Sequence, residues 1–308
     1  MQETRSLQRE MKFCDWEEFL MSRVAFVNGQ YVPHAEAGVH IEDRGYQFAD
    51  GVYEVIALIG GKLLDEEGHH DRLERSLREL RIAQPMHRRA LSHVLRETVR
   101  QNRLTSGIVY IQITRGVARR DHPFPADVPP SLVVTARRIK GPSAQSVEQG
   151  IAVLTVPDIR WLRRDIKSIS LLPNVLAKQA ARENKAYEAW LVGETGVVHE
   201  GSSTNAWIVT REGVLVTHPA GHEILNGITR LGVLDAARQQ GIKIEERPFT
   251  VAEAKMAKEA FISSTTSHVM PVVAIDGQPV GNGHPGEVTR KLLAGYLAGF
   301  GLTSGSFL

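Results

Sequence analysis

Four short windows of this 308-residue sequence place reactive or anion-binding side chains where a folded site could use them. In the first, Asp165-Ile166-Lys167-Ser168-Ile169-Ser170-Leu171-Leu172, a lysine opens an apolar, β-prone run. Taken alone it favours the usual fate of lysine, an exposed strand end. The sharper alternative is a partly buried amine acting as nucleophile and base. In the second, His199-Glu200-Gly201-Ser202-Ser203-Thr204-Asn205, three hydroxyls and an amide follow a glutamate and a glycine. It reads as a turn between two strand-like runs, with the glutamate either solvated or set beside an anion-facing loop. The third, Leu225-Asn226-Gly227-Ile228-Thr229-Arg230, puts a glycine turn and a threonine at a helix start, where free amides attract phosphate. The fourth, Ser263-Ser264-Thr265-Thr266-Ser267, is five consecutive hydroxyl residues directly after a strand. Each is ordinary loop chemistry alone; their joint order is not.

These windows need a scaffold. A hairpin signal runs from apolar Val24–Val27 through the turn pair Asn28-Gly29 to Gln30–Val32. A second hairpin is expected at Gly60-Gly61, between Val52–Ile59 and Lys62–Leu64. Leu73, Leu77 and Leu80 recur at helical spacing and predict a helix over 70–81, with another over 88–103. Strand-like runs Ile108–Thr114 and Leu132–Ala136 flank a proline-rich loop, 116–130. Segment 140–150 loses apolar content and gathers turn formers, the pattern of a domain linker. Beyond it, strands are expected at 151–156, 189–192, 206–210 and 214–216, and helices at 174–184, 229–240 and 285–300. Thr250 and Glu253 form a capping box, and Asp276-Gly277 marks a hairpin. The layout is a charged extension over 1–22, a smaller α/β domain over 23–139, a linker over 140–150 and a larger α/β domain over 151–308.

Composition excludes several classes. Thirty-seven basic against 35 acidic residues, a net charge of +2, argue against a nucleic-acid binder held by excess positive charge. The single cysteine, Cys14, allows no intrachain disulfide and no multi-cysteine zinc site, and fits a reducing, cytoplasmic setting. No run approaches the ~20 apolar residues of a membrane span, and the charges of the first 23 residues leave no apolar signal core. Gly281-x-Gly283-x-x-Gly286 matches a dinucleotide fingerprint in letters only, because 22 residues are too few for the unit that must follow. Pro219 and Gly221 prevent His218 and His222 from forming a helical metal pair, and no metal site is expected. The cluster Arg115, Arg119, Arg120 and His122 reads as a site for one small anion.

With these motifs in hand, the sequence resembles the fold-type IV family of pyridoxal-phosphate enzymes, and within it the D-amino-acid aminotransferases. The resemblance runs from about Val24 to near Phe300 and includes Glu42-Asp43-Arg44-Gly45-Tyr46-Gln47-Phe48-Ala49-Asp50-Gly51-Val52-Tyr53-Glu54 as well as the four windows. It implies a mixed α/β, two-domain fold with pyridoxal 5'-phosphate in the interdomain cleft. Lys167 would form the Schiff base with the cofactor and later move the proton, and Glu200 would face the pyridine nitrogen and keep it protonated. Arg72 would bind the phosphate with Ile228, Thr229, Ser264 and Thr265, and Leu225 would pack on the ring. Arginine suits that task because its planar fork makes paired, charge-assisted bonds.

The resemblance also gives substrate choice to Tyr53, Arg120 and His122, which would donate to the α-carboxylate and fix the face of Cα that meets Lys167. In the family this loop reaches the neighbouring subunit's site, which implies a homodimer. The implied reaction is reversible amino transfer between a D-amino acid such as D-alanine and a 2-oxo acid such as 2-oxoglutarate or pyruvate. An L-branched-chain aminotransferase would have no use for the Arg120/His122 pair. An aminodeoxychorismate lyase of the same fold would release pyruvate without an acceptor, and a non-catalytic relative would stay colourless with added cofactor. Ala49 stands where relatives commonly have glycine, and a positive φ there would strain it by ~1–2 kcal/mol.

Overall fold

A computed structural model describes residues 24–303; the charged extension over 1–22 lies outside them. The first half runs β1 (Val24–Val27), β2 (Gln30–Pro33), α1 (Arg44–Phe48), β3 (Gly51–Ile59), β4 (Lys62–Leu63), α2 (Glu66–Glu79), α3 (Arg88–Gln101), β5 (Gly107–Thr114) and β6 (Ser131–Arg137). Its strands form a six-stranded sheet of order β2-β1-β6-β5-β3-β4, antiparallel at every pairing. Both expected hairpins are present. Helices α2 and α3 bury Leu73, Leu77, Leu91, Val94, Leu95 and Val99 in one core with Val52, Ile56, Val109, Ile111 and Val134 of the sheet. Apolar residues three and four apart form the stripe that a helix needs to cover a sheet.

Two backbone features set the strand that matters most to the site. Ala49, after α1, holds the left-handed conformation (φ 55°, ψ 30°), so the positive φ expected of it is real. Gly51 opens β3 where a Cβ would sit 2.6 Å from the carbonyl oxygen of Ile113, a contact no side chain tolerates.

The second half contains α4 (Ala144–Gln149), β7 (Ile151–Pro157), α5 (Leu172–Glu183), β8 (Glu188–Val192), β9 (Val198–Gly201), β10 (Asn205–Val209), β11 (Leu215–Thr217), α6 (Ile228–Gln239), β12 (Ile244–Glu246), α7 (Val251–Met256), β13 (Glu259–Ser264), β14 (His268–Ile275), β15 (Gln278–Pro279) and α8 (Glu287–Ala298). Its nine strands make one sheet of order β12-β11-β10-β13-β14-β7-β8-β9, with β15 beside β14. The β7–β8, β7–β14 and β11–β12 pairings are parallel and the rest antiparallel, so the fold is mixed α/β.

The structure differs from the expected elements at two points. Segment 140–150 is not turns alone: Ser143 caps α4, its Oγ accepting from the Ser146 amide at 3.0 Å. Glu200 is not in a turn either. It lies on β9 opposite Leu191, and the bend is confined to Ser202–Thr204. Of the capping box expected at Thr250 the N-cap half forms, with Oγ1 accepting from the Glu253 amide at 3.2 Å, while the Glu253 carboxylate accepts from Arg247 instead. No helix among the described residues is long and apolar enough to cross a membrane.

Candidate active site

The two halves meet at the lysine window. Ile166 packs into the core of the first sheet. The Tyr53 amide donates to the Lys167 carbonyl at 3.0 Å, Ser168 bridges Val52, and the Ile169 amide donates to the Gly51 carbonyl at 3.1 Å. Residues 167–169 thus lie along β3 although they precede α5 of the second half. Lys167 is half-buried, and its Nζ sits 4.3 Å from the centroid of the Tyr53 ring. The amine is carried by backbone fixed on both flanks, which limits where it can point.

Above it opens a cleft of about 780 Å³, continuous with solvent, which Tyr53, Arg72, Lys167, Glu200, Leu225, Ile228, Thr229, Ser264 and Thr265 all line. Nine residues spread over 53–265 and expected to act together do share one space. Among the described residues, no group of three His, Cys, Asp or Glu side chains could hold a metal ion.

One end of the cleft is built for an anion. Gly227 is the N-cap of α6 and no side chain satisfies the first amides, leaving the N–H groups around Ile228 and Thr229 to an incoming acceptor. Arg72, on α2, faces the same end. Its Nε and Nη2 grip Glu54 at 2.7 and 2.8 Å, and its Nη1 donates to the Asn226 carbonyl at 3.2 Å. Three of its five N–H donors are thereby used, and two remain for a ligand. Glu54 is fully buried on β3 and also meets His69 Nδ1 at 2.7 Å. Burial works to raise the Glu54 pKa, but the Arg72 charge and the bonds from Arg72 and His69 outweigh it and hold it down at about 2. Burial pushes His69 down. Ser264, the last residue of β13, and Thr265, in the turn after it, line the same cleft, while the Ser263 hydroxyl accepts from Trp207 Nε1 at 2.9 Å.

The same cleft also presents a carboxylate. Glu200 is 4% exposed. Its Oε1 accepts from Arg160 Nη1 at 2.5 Å, its Oε2 from Asn205 Nδ2 at 3.1 Å, and the Leu225 amide reaches both oxygens at 3.1 Å. Burial raises the Glu200 pKa despite the Arg160 charge beside it. Leu225 therefore serves twice: its amide holds Glu200 while its side chain lines the cleft.

Arg120 and His122 are elsewhere. Both are exposed and beside Phe48, with the Arg120 guanidinium 5.1 Å and the His122 ring 5.5 Å from its ring. Arg44 Nη1 donates to the Asp121 carbonyl at 2.6 Å and anchors the loop. Neither lines the cleft of its own chain. The small-anion cluster is also dissolved: Arg115 is buried, paired with Asp50 through Nε at 2.7 Å and Nη2 at 2.9 Å and capping the Leu80 and Arg81 carbonyls. His218 is buried and His222 exposed.

Sequence reading missed Glu54, His69, Asp158 and Arg160 as parts of the site. One signal existed for Glu54: a carboxylate in the otherwise apolar run Val52–Ile59 has to find a cation. Arg160 carried none.

The amino-transferase class IV family matches residues 51–275, and the chain belongs to that family. Relatives include the D-alanine aminotransferases of Staphylococcus aureus (strain MSSA476), 43% identical over 88% of this chain and 95% of that protein, and of Bacillus licheniformis, 42% identical over 86% and 93%. Among solved structures, the branched-chain amino acid aminotransferase of Escherichia coli superposes with a TM-score of 0.85 at 26% identity over 93% of this chain and 96% of that one. The T.th. branched-chain amino acid aminotransferase with pyridoxamine 5'-phosphate gives 0.82 at 27% identity over 90% and 93%.

Proposed function

We propose that this chain is a pyridoxal-phosphate-dependent D-amino-acid aminotransferase, acting between a D-alanine-like amino acid and a 2-oxo acid such as 2-oxoglutarate or pyruvate. The observation that carries the reading is the cleft itself, which the Lys167 amine, the anion cradle of Arg72 and the start of α6, and the buried Glu200 carboxylate all line. The donor set fits the cofactor. Arg72, the open amides at the start of α6, Thr229, Ser264 and Thr265 would hold its phosphate. When bound, the cofactor supplies an electron sink that stabilises negative charge at the substrate's Cα.

The protein's part is placement and proton movement. Lys167 would take the proton from Cα and return it to the carbon on the other side of the amino nitrogen, and its fixed backbone keeps the amine on one face of the substrate. Glu200 would face the ring nitrogen as an acceptor and keep it protonated. Leu225 and Tyr53 both line the cleft; Leu225 would press on the ring and Tyr53 would border the space the substrate enters. The D-alanine aminotransferase relatives at 42–44% identity support the D-side choice.

The same reading makes the enzyme a cytoplasmic homodimer divided near 140–150, with the Arg120–His122 loop of one copy facing the cleft of the other. Exposed apolar side chains at Trp161, Leu162, Leu172, Val175 and Leu176 support that arrangement, since Trp161 also lines the cleft. D- and L-amino acids supplied separately with 2-oxoglutarate test the substrate choice, with chiral analysis of the product. Turnover of D-alanine is expected; turnover of L-leucine alone would replace this reading by the branched-chain one. Mixing Lys167→Ala chains with Arg120→Ala chains tests the shared site. Regained activity is expected, because a mixed dimer holds one cleft with both groups intact.

A further inference from the structure

Beside this carboxylate, the cleft contains a second charged side chain with no place in the roles above. Arg160 follows β7 and lines the cleft beside Glu200, with 9% of its side chain exposed. Its donors divide by edge. Nε and Nη2 clasp the two oxygens of Asp158 at 2.9 and 2.8 Å, and Nη1 is left to meet Glu200 Oε1 at 2.5 Å. Asp158 has no exposed side chain and is anchored in turn by His199 Nδ1 at 2.8 Å and Arg164 Nε at 3.3 Å. Resting on the function just proposed, we infer that Arg160, clamped by Asp158, is a positioning residue that fixes Glu200 in the orientation facing the cofactor's ring nitrogen.

Donors and charge both lead there. Without Arg160, Glu200 would keep only neutral donors, the Leu225 amide and Asn205 Nδ2, on a side chain that is almost fully buried. A buried carboxyl with neutral partners favours its protonated form. In that form it would no longer balance the charge of a protonated ring nitrogen. Arg160 supplies the missing charge, and its flat fork transmits the orientation of Asp158 to Glu200. The charged groups around Glu200 are then Arg160, Asp158 and Arg164, with His199 behind them. Two guanidinium groups balance two carboxylates.

The test is a double-mutant cycle on cofactor binding. Dissociation of pyridoxal phosphate is measured by tryptophan quenching for the wild type, Arg160→Met, Arg160→Lys, Glu200→Gln and the double variants, with far-UV circular dichroism to confirm folding. The cycle is repeated with an analogue that has carbon in place of the ring nitrogen. Arg160→Met is expected to weaken binding by about ten- to a hundredfold. It should also displace the visible band of the bound cofactor as Glu200→Gln does, and Arg160→Lys should restore part of both. In the Glu200→Gln background, and on the nitrogen-free analogue, the Arg160→Met effect should shrink to within about threefold. An undiminished effect in either setting would overturn the inference, because Arg160 would then act on the cofactor directly or on the fold alone. Wild-type affinity and spectrum in a folded Arg160→Met protein would overturn it too. If Arg160→Met does not fold, Arg160→Lys carries the same cycle. Failure of the wild type to bind pyridoxal phosphate would instead refute the proposed function.

Discussion

Two buried arginine–carboxylate pairs border the cleft and are used in opposite senses. At the anion end Glu54 is the holder: fully buried and gripped at both oxygens, it leaves Arg72 with donors to spare. In the other pair Arg160 is the holder, tied to Asp158, and Glu200 faces the space. The pKa directions follow, with Glu54 held down at about 2 and Glu200 pushed up by burial. The difference teaches that an ion pair's role is set by which partner has unsatisfied bonding capacity, not by the pair's composition.

Removing the two carboxylates should separate these roles. Glu54→Ala leaves Arg72 buried without its counter-charge and should lower stability by about 3–5 kcal/mol, read by urea unfolding. Glu200→Gln leaves Arg160 its Asp158 partner, so stability should fall by less than half as much while kcat drops about 10²–10³-fold. Equal stability losses would break the comparison.

Acid unfolding sharpens it. Glu54 keeps its charge in the fold down to about pH 2, against an ordinary 4.5. The unfolded chain therefore takes up the proton first. The contribution of this group is complete above pH 4.5 and disappears as pH falls to 2, about 3 kcal/mol in all. Glu54→Ala should show a shallower acid limb in that window. Glu200, raised by burial, works with the opposite sign, so Glu200→Gln should not flatten the limb.

A smaller effect tests the donors: Arg72→Lys keeps the charge and loses the fork. It should weaken pyridoxal phosphate by about tenfold and leave unphosphorylated pyridoxal unchanged. The smallest lies outside the cleft. Ala49→Gly relieves the left-handed backbone at φ 55° and should stabilise the protein by about 1 kcal/mol.

Groups that face a ligand were more legible in the sequence than groups that hold other groups. Thr229 and Ser264 lie in short windows whose composition carries the signal, because amides and hydroxyls must be presented locally by a turn or a helix start, whereas the Lys167 window alone reads as an exposed strand end and needed the family resemblance. Arg72 and Glu200 needed the family resemblance, since alone an arginine on an amphipathic helix and a glutamate near a turn read as solvated. Glu54 and Arg160 reach partners 18 and 40 residues away. Chain topology alone creates those contacts. The strand of Glu200 was lost for another reason: four residues ending in Gly201 and followed by Ser202-Ser203 look like a turn, and only pairing with β8 makes them a strand.

The seam between β3 and residues 167–169 has a mechanical consequence. Because the amine is moored to the sheet of one half while its chain continues into the helices of the other, the halves cannot swing apart without dragging the Lys167 amine out of its place in the cleft. Ile166 makes this a matter of packing as well as hydrogen bonding, since it sits in the same core as Leu73 and Leu77 of α2. Damage to that distant core would register first as misaligned chemistry, before it registered as unfolding.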